Sequence, residues 1–539
     1  MKHNNSKYAI RLPILIALAI CLGIFIGANM TNGKTENVDR VYNSLYKFRQ
    51  VITHIDNFYV DEVKSEELVE TAIENMLQEL DPHSVYIPYE EQKIIGAQLE
   101  SNYEGIGVEF NIFKDTIVVV TPLSGGPSES LGILSGDKII KVEDEVVAGI
   151  GIKTRGVMER LKGAADSKVT ITILRGQKEI DYTITRGEIP RFSVDVAYMM
   201  DEETGYIKIS RFAASTYLEF KEALFKLKDL GMENLVLDLT GNGGGYMDPA
   251  VKIVDEFIED GKMIVYTKGK TEQSNFSHKS EFLGDFEEGA LIVLINEGSA
   301  SSSEIVSGSL QDHDRALIVG RRSFGKGLVQ YDMELKDGSA LRLTTSRYYT
   351  PSGRNIQKPY EAGNLDEYYK ENYERYRNGE MYSEDSIKVV DSLIFKTAGG
   401  RTVFGGGGIV PDHFVALDTT GNSSLLTRIF NTSSIHEFAF EYAHANELEF
   451  KEMQLTKFIS TYEVSDGTLT ELLQKAKSNG VKMNQKEFES SKELLRNYLK
   501  AFIGRNIWEN DGFFPVLNQQ DEIVLKAKSL IEEAKNLQK

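Results

Sequence analysis

Cysteine and tryptophan occur once each in 539 residues, and proline contributes only 11. The one thiol, Cys21, sits in an apolar stretch near the N-terminus, so the rest of the chain has none for disulfides, thiolate zinc sites or cysteine catalysis. With 41% hydrophobic and 26% charged residues, bulk disorder and low-complexity classes are excluded. Positive charge is scarce: 61 Lys and Arg stand against 81 Asp and Glu, a net charge of −20. A chain this acidic does not hold phosphate backbones by charge, so nucleic acid is not an expected partner. The eight histidines show no HExxH or comparable spacing, and neither a metal nor a cofactor is expected.

What is present begins with Lys2, Lys7 and Arg11 before the charge-free run Leu12–Ala28. A basic flank ahead of such a run is what translocation machinery reads, and it places the rest of the chain outside the cytoplasm, periplasmic or anchored to the inner membrane. Residues 12–28 are long for a signal-peptide core and short for a membrane span, so cleaved signal and anchor both stay open. Ile20 ahead of Cys21 argues against lipidation, and the terminal position and one-sided charge argue against a core helix.

From Ser65 the apolar residues Leu68, Val69, Ala72, Ile73, Met76, Leu77 and Leu80 recur at helical spacing up to Pro82. Residues 103–186 then alternate short β-rich runs with Gly, Ser and Asp punctuation. From Gly205 strand and helix patterns alternate as in an α/β core, with strands at 206–210, 234–239, 263–266, 291–296 and 316–319. Residues 363–391 show weak periodicity, and the four glycines 405–408 look like a turn-rich exit from the core. Beyond Asn422 the chain is helical and charged.

Two glycine-rich segments and a serine cluster concentrate the chemistry. Gly241, Gly243 and Gly245 follow a strand, but Tyr246 occupies the place of a third dinucleotide-fingerprint glycine. Gly320 to Lys326 fits the start of a phosphate loop, yet Gly327 stands where the magnesium-binding hydroxyl belongs. Neither segment supports a nucleotide site. The cluster Asn296-Glu-Gly-Ser299-Ala300-Ser301-Ser302-Ser303-Glu304 places Ser301 on a strand-to-helix turn, where helix-start amides favour a developing oxyanion. Ser301-x-x-Glu304 is equally a capping box, and spacing alone favours plain capping. His313 lies twelve residues on, about 18 Å along a helix, which excludes a local Ser–His pair. Lys326 is the better candidate base, set between two glycines that let the backbone approach another segment closely. Burial would have to lower its pKa by about 2–3 units. Gln330 shares the strand face of Lys326 and is placed to orient the amine. A lysine in Gly-Lys-Gly is by itself more often a surface turn residue.

The segment NEGSASSSEIVSGSLQDHDRALIVGRRSFGKGLVQ (296–330) resembles the core signature of carboxyl-terminal processing peptidases, also called tail-specific proteases. LDLTGNGGG (237–245), LDPHS (80–84), YEGIGVEF (103–110) and TPLSGGPSESLGILSGDKIIKVEDE (121–145) join the match, the last two resembling a PDZ domain. The resemblance implies Ser301 as nucleophile, Lys326 as general base, Gln330 as the residue that holds the lysine, and an oxyanion hole of backbone amides from Ser302 and Gly244. Thr240 and Ser302 depart from the family, which often has arginine and alanine there.

The implied fold is α/β, a ClpP/crotonase-like protease core with an inserted β-rich PDZ domain, N-terminal helices and a C-terminal helical domain. The expected boundaries are 1–30 for the signal or anchor, 31–100 for N-terminal helices, 101–188 for the PDZ domain, 189–420 for the core and 421–539 for the helical tail. Gly105, Ile106, Gly107 and Val108 resemble a PDZ carboxylate-binding loop, the plain alternative being an ordinary turn. Expected partners are proteins with a free C-terminus, with a homo-oligomer or an adaptor left open. Rival readings are a non-catalytic PDZ scaffold on a degenerate protease fold and a different Ser–Lys hydrolase without need of a PDZ module.

Overall fold

The structure is a computed structural model describing residues 16–20, 22–23, 40–89, 91–92, 102–113, 115–123, 126–134, 136–390 and 392–537. Most of the apolar run 12–28, Cys21 included, lies outside the described residues, and among the described residues no helix is long and apolar enough to cross a membrane. The chain divides into two units, residues 1–80 and 81–539.

In the first unit residues 40–58 are helical, and Ser65–Gln78 forms the helix its periodicity predicts, with Glu66 and Glu67 at the positive end of its dipole. The Ser65 hydroxyl donates to Asp56 at 2.7 Å and ties the two helices together.

The second unit opens with a departure from the all-helical expectation for 31–100. Val85–Ile87 is a strand, paired antiparallel with Ala340–Tyr349. The β-rich module follows as strands Val108–Phe113, Thr116–Pro122, Lys138–Val142, Lys168–Arg175 and Lys178–Thr185 in that spatial order. It closes over its own core of Val119, Ile139, Ile171, Ile173 and Ile184. Asn102–Gly105 and Gly187–Pro190 pair with each other, so the chain leaves and rejoins the core through one two-stranded neck. That pairing lets a complete domain be inserted without breaking the core sheet.

The core sheet runs Val194–Met199, Thr204–Ile209, Asn234–Asp238, Leu291–Ile295, Leu317–Gly320, His413–Phe414. Its first pair is antiparallel and the rest are parallel. The central strands are buried on both faces, as their unbroken apolar runs require. Leu235, Leu237, Val293 and Ile295 face Phe220, Leu224, Val254, Val306 and Leu310 from helices Thr216–Asp229, Met247–Asp255 and Ser302–Asp312. Successive residues turn to the opposite face. There Val236, Ile292 and Leu294 meet Ile523, Val524, Ala527, Leu530 and Ala534.

This corrects the 421–539 boundary. Helices Glu522–Ser529 and Ile531–Leu537 are the second layer of the core sheet, while residues 424–518 form the helical domain around Phe438, Phe450, Phe458 and Leu499. The domain's longest helical stretch, Gln485–Asn518, breaks at Trp508 and Glu509. The domain also touches the edge strand of the β-rich module, through an Arg505–Glu109 ion pair at 3.1 Å and the Phe440 and Phe113 rings. A second sheet carries Met263–Gly269, Ala340–Tyr349 and Leu328–Glu334. Residues 365–377 form a helix in the stretch of weak periodicity.

Candidate active site

Ser301 sits between strand Leu291–Ile295 and helix Ser302–Asp312 with φ +54° and ψ −112°, a conformation that non-glycine residues rarely adopt. Such a strained turn lifts a serine hydroxyl out of the backbone, as in nucleophile elbows. The neighbouring serines hold the turn. Ser299 donates to Leu239 O and Ser303 to Asn242 O, both at 2.8 Å, and Ser302 donates to Gly245 O and Tyr246 O at 3.0 and 3.1 Å. Where alanine is usual, Ser302 therefore adds two bonds to the glycine loop. Tyr348, fully buried, donates its hydroxyl to Ser301 O at 3.2 Å.

Glu304, read from spacing as a cap, does much more. Its carboxylate is wholly buried and accepts from Ser301 N at 2.8 Å, Lys326 N at 2.9 Å, Gly325 N at 2.7 Å and the Ser323 hydroxyl at 2.5 Å. One side chain thus fixes the backbone of both candidate catalytic residues. Burial pushes its pKa up against those hydrogen bonds, which favour the anion. The same contacts explain why the phosphate-loop pattern is no anion site: two of its amides already serve a carboxylate.

The glycines flanking Lys326 allow the close approach predicted for them. A Cβ on Gly325, whose φ is +88°, would meet Gly408 N at 3.1 Å and Gly407 C at 3.2 Å, and one on Gly327 would meet Gln357 N at 2.8 Å. Among the described residues the Lys326 amine forms no hydrogen bond or ion pair. Burial lowers its pKa, helped by Arg342 and opposed by Glu304 and Asp81. Ser301, Ser302, Lys326 and Gln330 line one cavity of about 640 Å³, with Tyr246, Met247, Ile305, Leu328, Val329 and Arg342. Gln330 donates its amide N–H to Thr344 at 3.1 Å, and among the described residues it forms no bond to the amine.

Gly244 requires a correction. Its N–H donates to Asn242 Oδ1 at 2.9 Å, and Gly243 and Gly245, not Gly244, line the cavity. The carbonyl of Gly244 accepts from Phe212 N at 3.0 Å. Carbonyl and N–H of one trans peptide point in opposite directions, so the Gly245 N–H is directed away from Phe212. The Gly245 carbonyl accepts from Ser302, which holds this stretch beside the serine turn. Gly244 matters sterically instead: a Cβ there would lie 2.7 Å from the Ser301 Cβ.

Thr240, where arginine was expected, receives a cation from the adjacent strand. Lys208 bonds Thr240 Oγ1 at 3.1 Å and Asp238 at 2.8 Å. Sequence spacing gave no sign of this, nor of Tyr348 or Asn242, because each acts from a segment distant in the chain.

In the β-rich module Gly105, Ile106, Gly107 and Val108 are all buried. The Ile106 carbonyl accepts from Ser128 N and Oγ, and the Gly107 carbonyl from Leu123 N. By the same trans-peptide geometry the N–H groups of Gly107 and Val108 are turned the other way. Gly107 has φ +73°, a backbone conformation that favours glycine, and a Cβ there would also press on the Ile189 side-chain tip at 2.8 Å.

The chain matches Peptidase family S41 over residues 203–363, a PDZ domain over 104–185, the activating protease CtpB N-terminal domain over 26–91, and a family of unknown function over 425–509. It is 36% identical over 346 residues to the carboxy-terminal-processing protease of Bartonella bacilliformis, covering 62% of this chain and 78% of that protein. It is 33% identical over 344 residues to a probable CtpA-like serine protease of Staphylococcus aureus, covering 64% and 68% respectively. Among solved structures a photosystem II D1 C-terminal processing protease aligns with 27% identity over 57% of this chain and 89% of its own, with a TM-score of 0.34. With its α/β protease core, PDZ domain and serine turn, the chain belongs to the carboxy-terminal-processing proteases, a family of serine-type peptidases.

Proposed function

We propose that this protein is an exported endopeptidase with a Ser301–Lys326 catalytic pair that cleaves proteins selected by their C-terminal tail. The observation that carries the reading is the shared cavity. Ser301 on its strained turn and the half-buried Lys326 amine, which has no hydrogen bond or ion pair among the described residues, line it together, and Glu304 fixes both backbones. Lys326, as the neutral amine, takes the Ser301 proton while the hydroxyl attacks a peptide carbonyl. The tetrahedral oxyanion is met by the N–H groups of Ser302 and Gly245. Lys326 then passes its proton to the leaving amine, and water hydrolyses the acyl-enzyme. Met247, Ile305, Leu328 and Val329 suit an apolar substrate side chain beside the serine.

Tail selection rests on the PDZ domain. Strand Val108–Phe113 lies at the end of its sheet, touched by the helical domain through side chains at Glu109 and Phe113, which supports a peptide joining there as a further strand with its terminal carboxylate on the N–H groups of Gly107 and Val108. Export rests on Lys2, Lys7 and Arg11 ahead of residues 12–28, as a cleaved signal or an anchor.

The test is cleavage of an unfolded protein with and without an apolar C-terminal tail, by the chain lacking residues 1–30 and by its Ser301→Ala and Lys326→Ala variants. Tail-dependent cleavage that falls by about 10³-fold or more in both variants is expected. Full activity of Ser301→Ala overturns the catalytic assignment, and equal rates on tailed and tailless substrates overturn the PDZ role. A parent without activity that binds the tail supports the non-catalytic scaffold instead.

A further inference from the structure

The LDPHS segment follows the Ser65–Gln78 helix, and sequence spacing gave it no role. In the structure Asp81 begins a turn whose carboxylate collects four donors. His83 N and Ser84 N reach Oδ1 at 2.8 and 3.0 Å, the Ser84 hydroxyl reaches Oδ2 at 2.6 Å, and the Thr344 hydroxyl reaches Oδ1 at 2.9 Å. Asp81 is 6% exposed. The Ser84 hydroxyl also accepts from Thr344 N at 3.1 Å, so the turn grips Thr344 by backbone and side chain together. The next residues, Val85–Ile87, continue as the strand paired with Arg342, Leu341 and Ala340.

The polarity of this chain of bonds is forced. A carboxylate only accepts, so the single Thr344 proton goes to Asp81 and the hydroxyl keeps only acceptor capacity. What faces it must be a donor, which selects the flip of the Gln330 amide with Nε2 on Thr344 at 3.1 Å. The Gln330 Oε1 is then left for another donor in the cavity shared with Lys326. Without the carboxylate the Thr344 proton is free to turn to Oε1, the amide flips, and a donor group replaces the acceptor on the cavity side.

We propose that Asp81 is a positioning residue for the catalytic base, selecting through Thr344 the orientation in which the Gln330 carbonyl oxygen meets the Lys326 amine. The proposal rests on the Ser–Lys reading above. The charged groups acting on Lys326 are Arg342, itself paired with Asp332, together with Glu304 and Asp81. Nearby His83 has its pKa lowered to about 4 by burial, with Lys326 adding to the shift, and is neutral at working pH.

The experiment measures kcat and KM on one tailed substrate for Asp81→Ala, Thr344→Val, Thr344→Ser and Gln330→Ala, singly and paired, in the chain lacking residues 1–30. Asp81→Ala and Thr344→Val are each expected to lower kcat about tenfold with KM within about twofold. Neither should lower it further once Gln330→Ala is present, since no amide remains to be oriented. Thr344→Ser, which keeps the hydroxyl, restores kcat. Losses that multiply with Gln330→Ala, or a Thr344→Ser variant as slow as Thr344→Val, overturn the proposal. If Asp81→Ala fails to fold, the Thr344 pair and its cycle with Gln330 decide alone. Lys326→Ala separates the two levels. An inactive Lys326→Ala beside unimpaired Asp81 and Thr344 variants overturns only the positioning role, whereas an active Lys326→Ala overturns the Ser–Lys reading and this proposal together.

Discussion

On the serine side of the cavity Asn242, Ser299, Ser303 and Glu304 are all fully buried: Asn242 accepts from Gly244 N and from the Ser303 hydroxyl, Ser299 donates to Leu239 O ahead of the glycine loop, and Glu304 accepts from Ser301 N. On the lysine side the strand Leu328–Glu334 passes from buried at Leu328 to exposed from Tyr331 onward, and among the described residues the Lys326 amine has no partner. The proposed nucleophile is therefore held by many short-range bonds in a strained geometry, and the proposed base is held mainly at its backbone. An amine that must change protonation state gains from this, because an ion pair would lock it in the charged form. A serine that must only present a hydroxyl gains from rigidity.

Removing Glu304 should break the contrast most severely, because its carboxylate bonds the backbone of both walls. Glu304→Ala strands three backbone N–H groups, and we expect a loss of about 3 kcal/mol, or roughly 6–12 °C in Tm, with kcat down at least about 100-fold. Thermal melting and single-turnover kinetics check this, and a variant with parental kcat would show that the lysine wall needs no such tie. Gly244→Ala attacks the serine wall alone. The added methyl lies 2.7 Å from the Ser301 Cβ and 2.8 Å from Ala300 O at φ +96°, so kcat should fall about 10- to 100-fold with a smaller change in KM.

The pH profile of kcat/KM probes the lysine wall. As the proposed base the amine must be neutral to act, and burial lowers its pKa, so activity should rise with pH and level off below the ordinary lysine value of 10.5. His83, at about 4, contributes no limb near neutrality. A limb at the ordinary lysine value would mean that Lys326 is solvated when it works. Tyr348→Phe should have the smallest effect: one bond to Ser301 O is lost, about 0.5–1.5 kcal/mol in stability, with kcat within a few-fold.

Local signals carried far in this chain. The core strands 234–238 and 291–295 and helix 302–312 appear within about a residue of their apolar runs, and five of the six PDZ-sheet strands lie on theirs, Val108–Phe113 and Thr116–Pro122 running two or three residues longer, because both regions are built from short-range periodicity. The capping motif at Ser301 and Glu304 was visible for the same reason, whereas the roles expected of Ser301 and Lys326 came from the family resemblance. Long-range assembly was not. Asp81 meets Thr344 across 263 positions, and Lys208 reaches Thr240 from a neighbouring strand. Spacing could not choose between Gly244 and Gly245, because which N–H is free of the loop's own bonds depends on the Gly244 bonds to Asn242 and Phe212. Helices 522–529 and 531–537 were grouped with the tail by composition, although their apolar faces match the core sheet.

That last placement bears on how the protein is made. Strand Leu317–Gly320 leaves the ribosome about 200 residues before helix Glu522–Ser529. At roughly 5–20 residues per second the sheet face formed by Val236, Ile292 and Leu294 waits about 10–40 s for its cover. For that interval the nascent chain presents an apolar sheet without its second layer, a surface that invites chaperones, and the protease core is complete only once sequence from beyond the helical domain has folded back onto it.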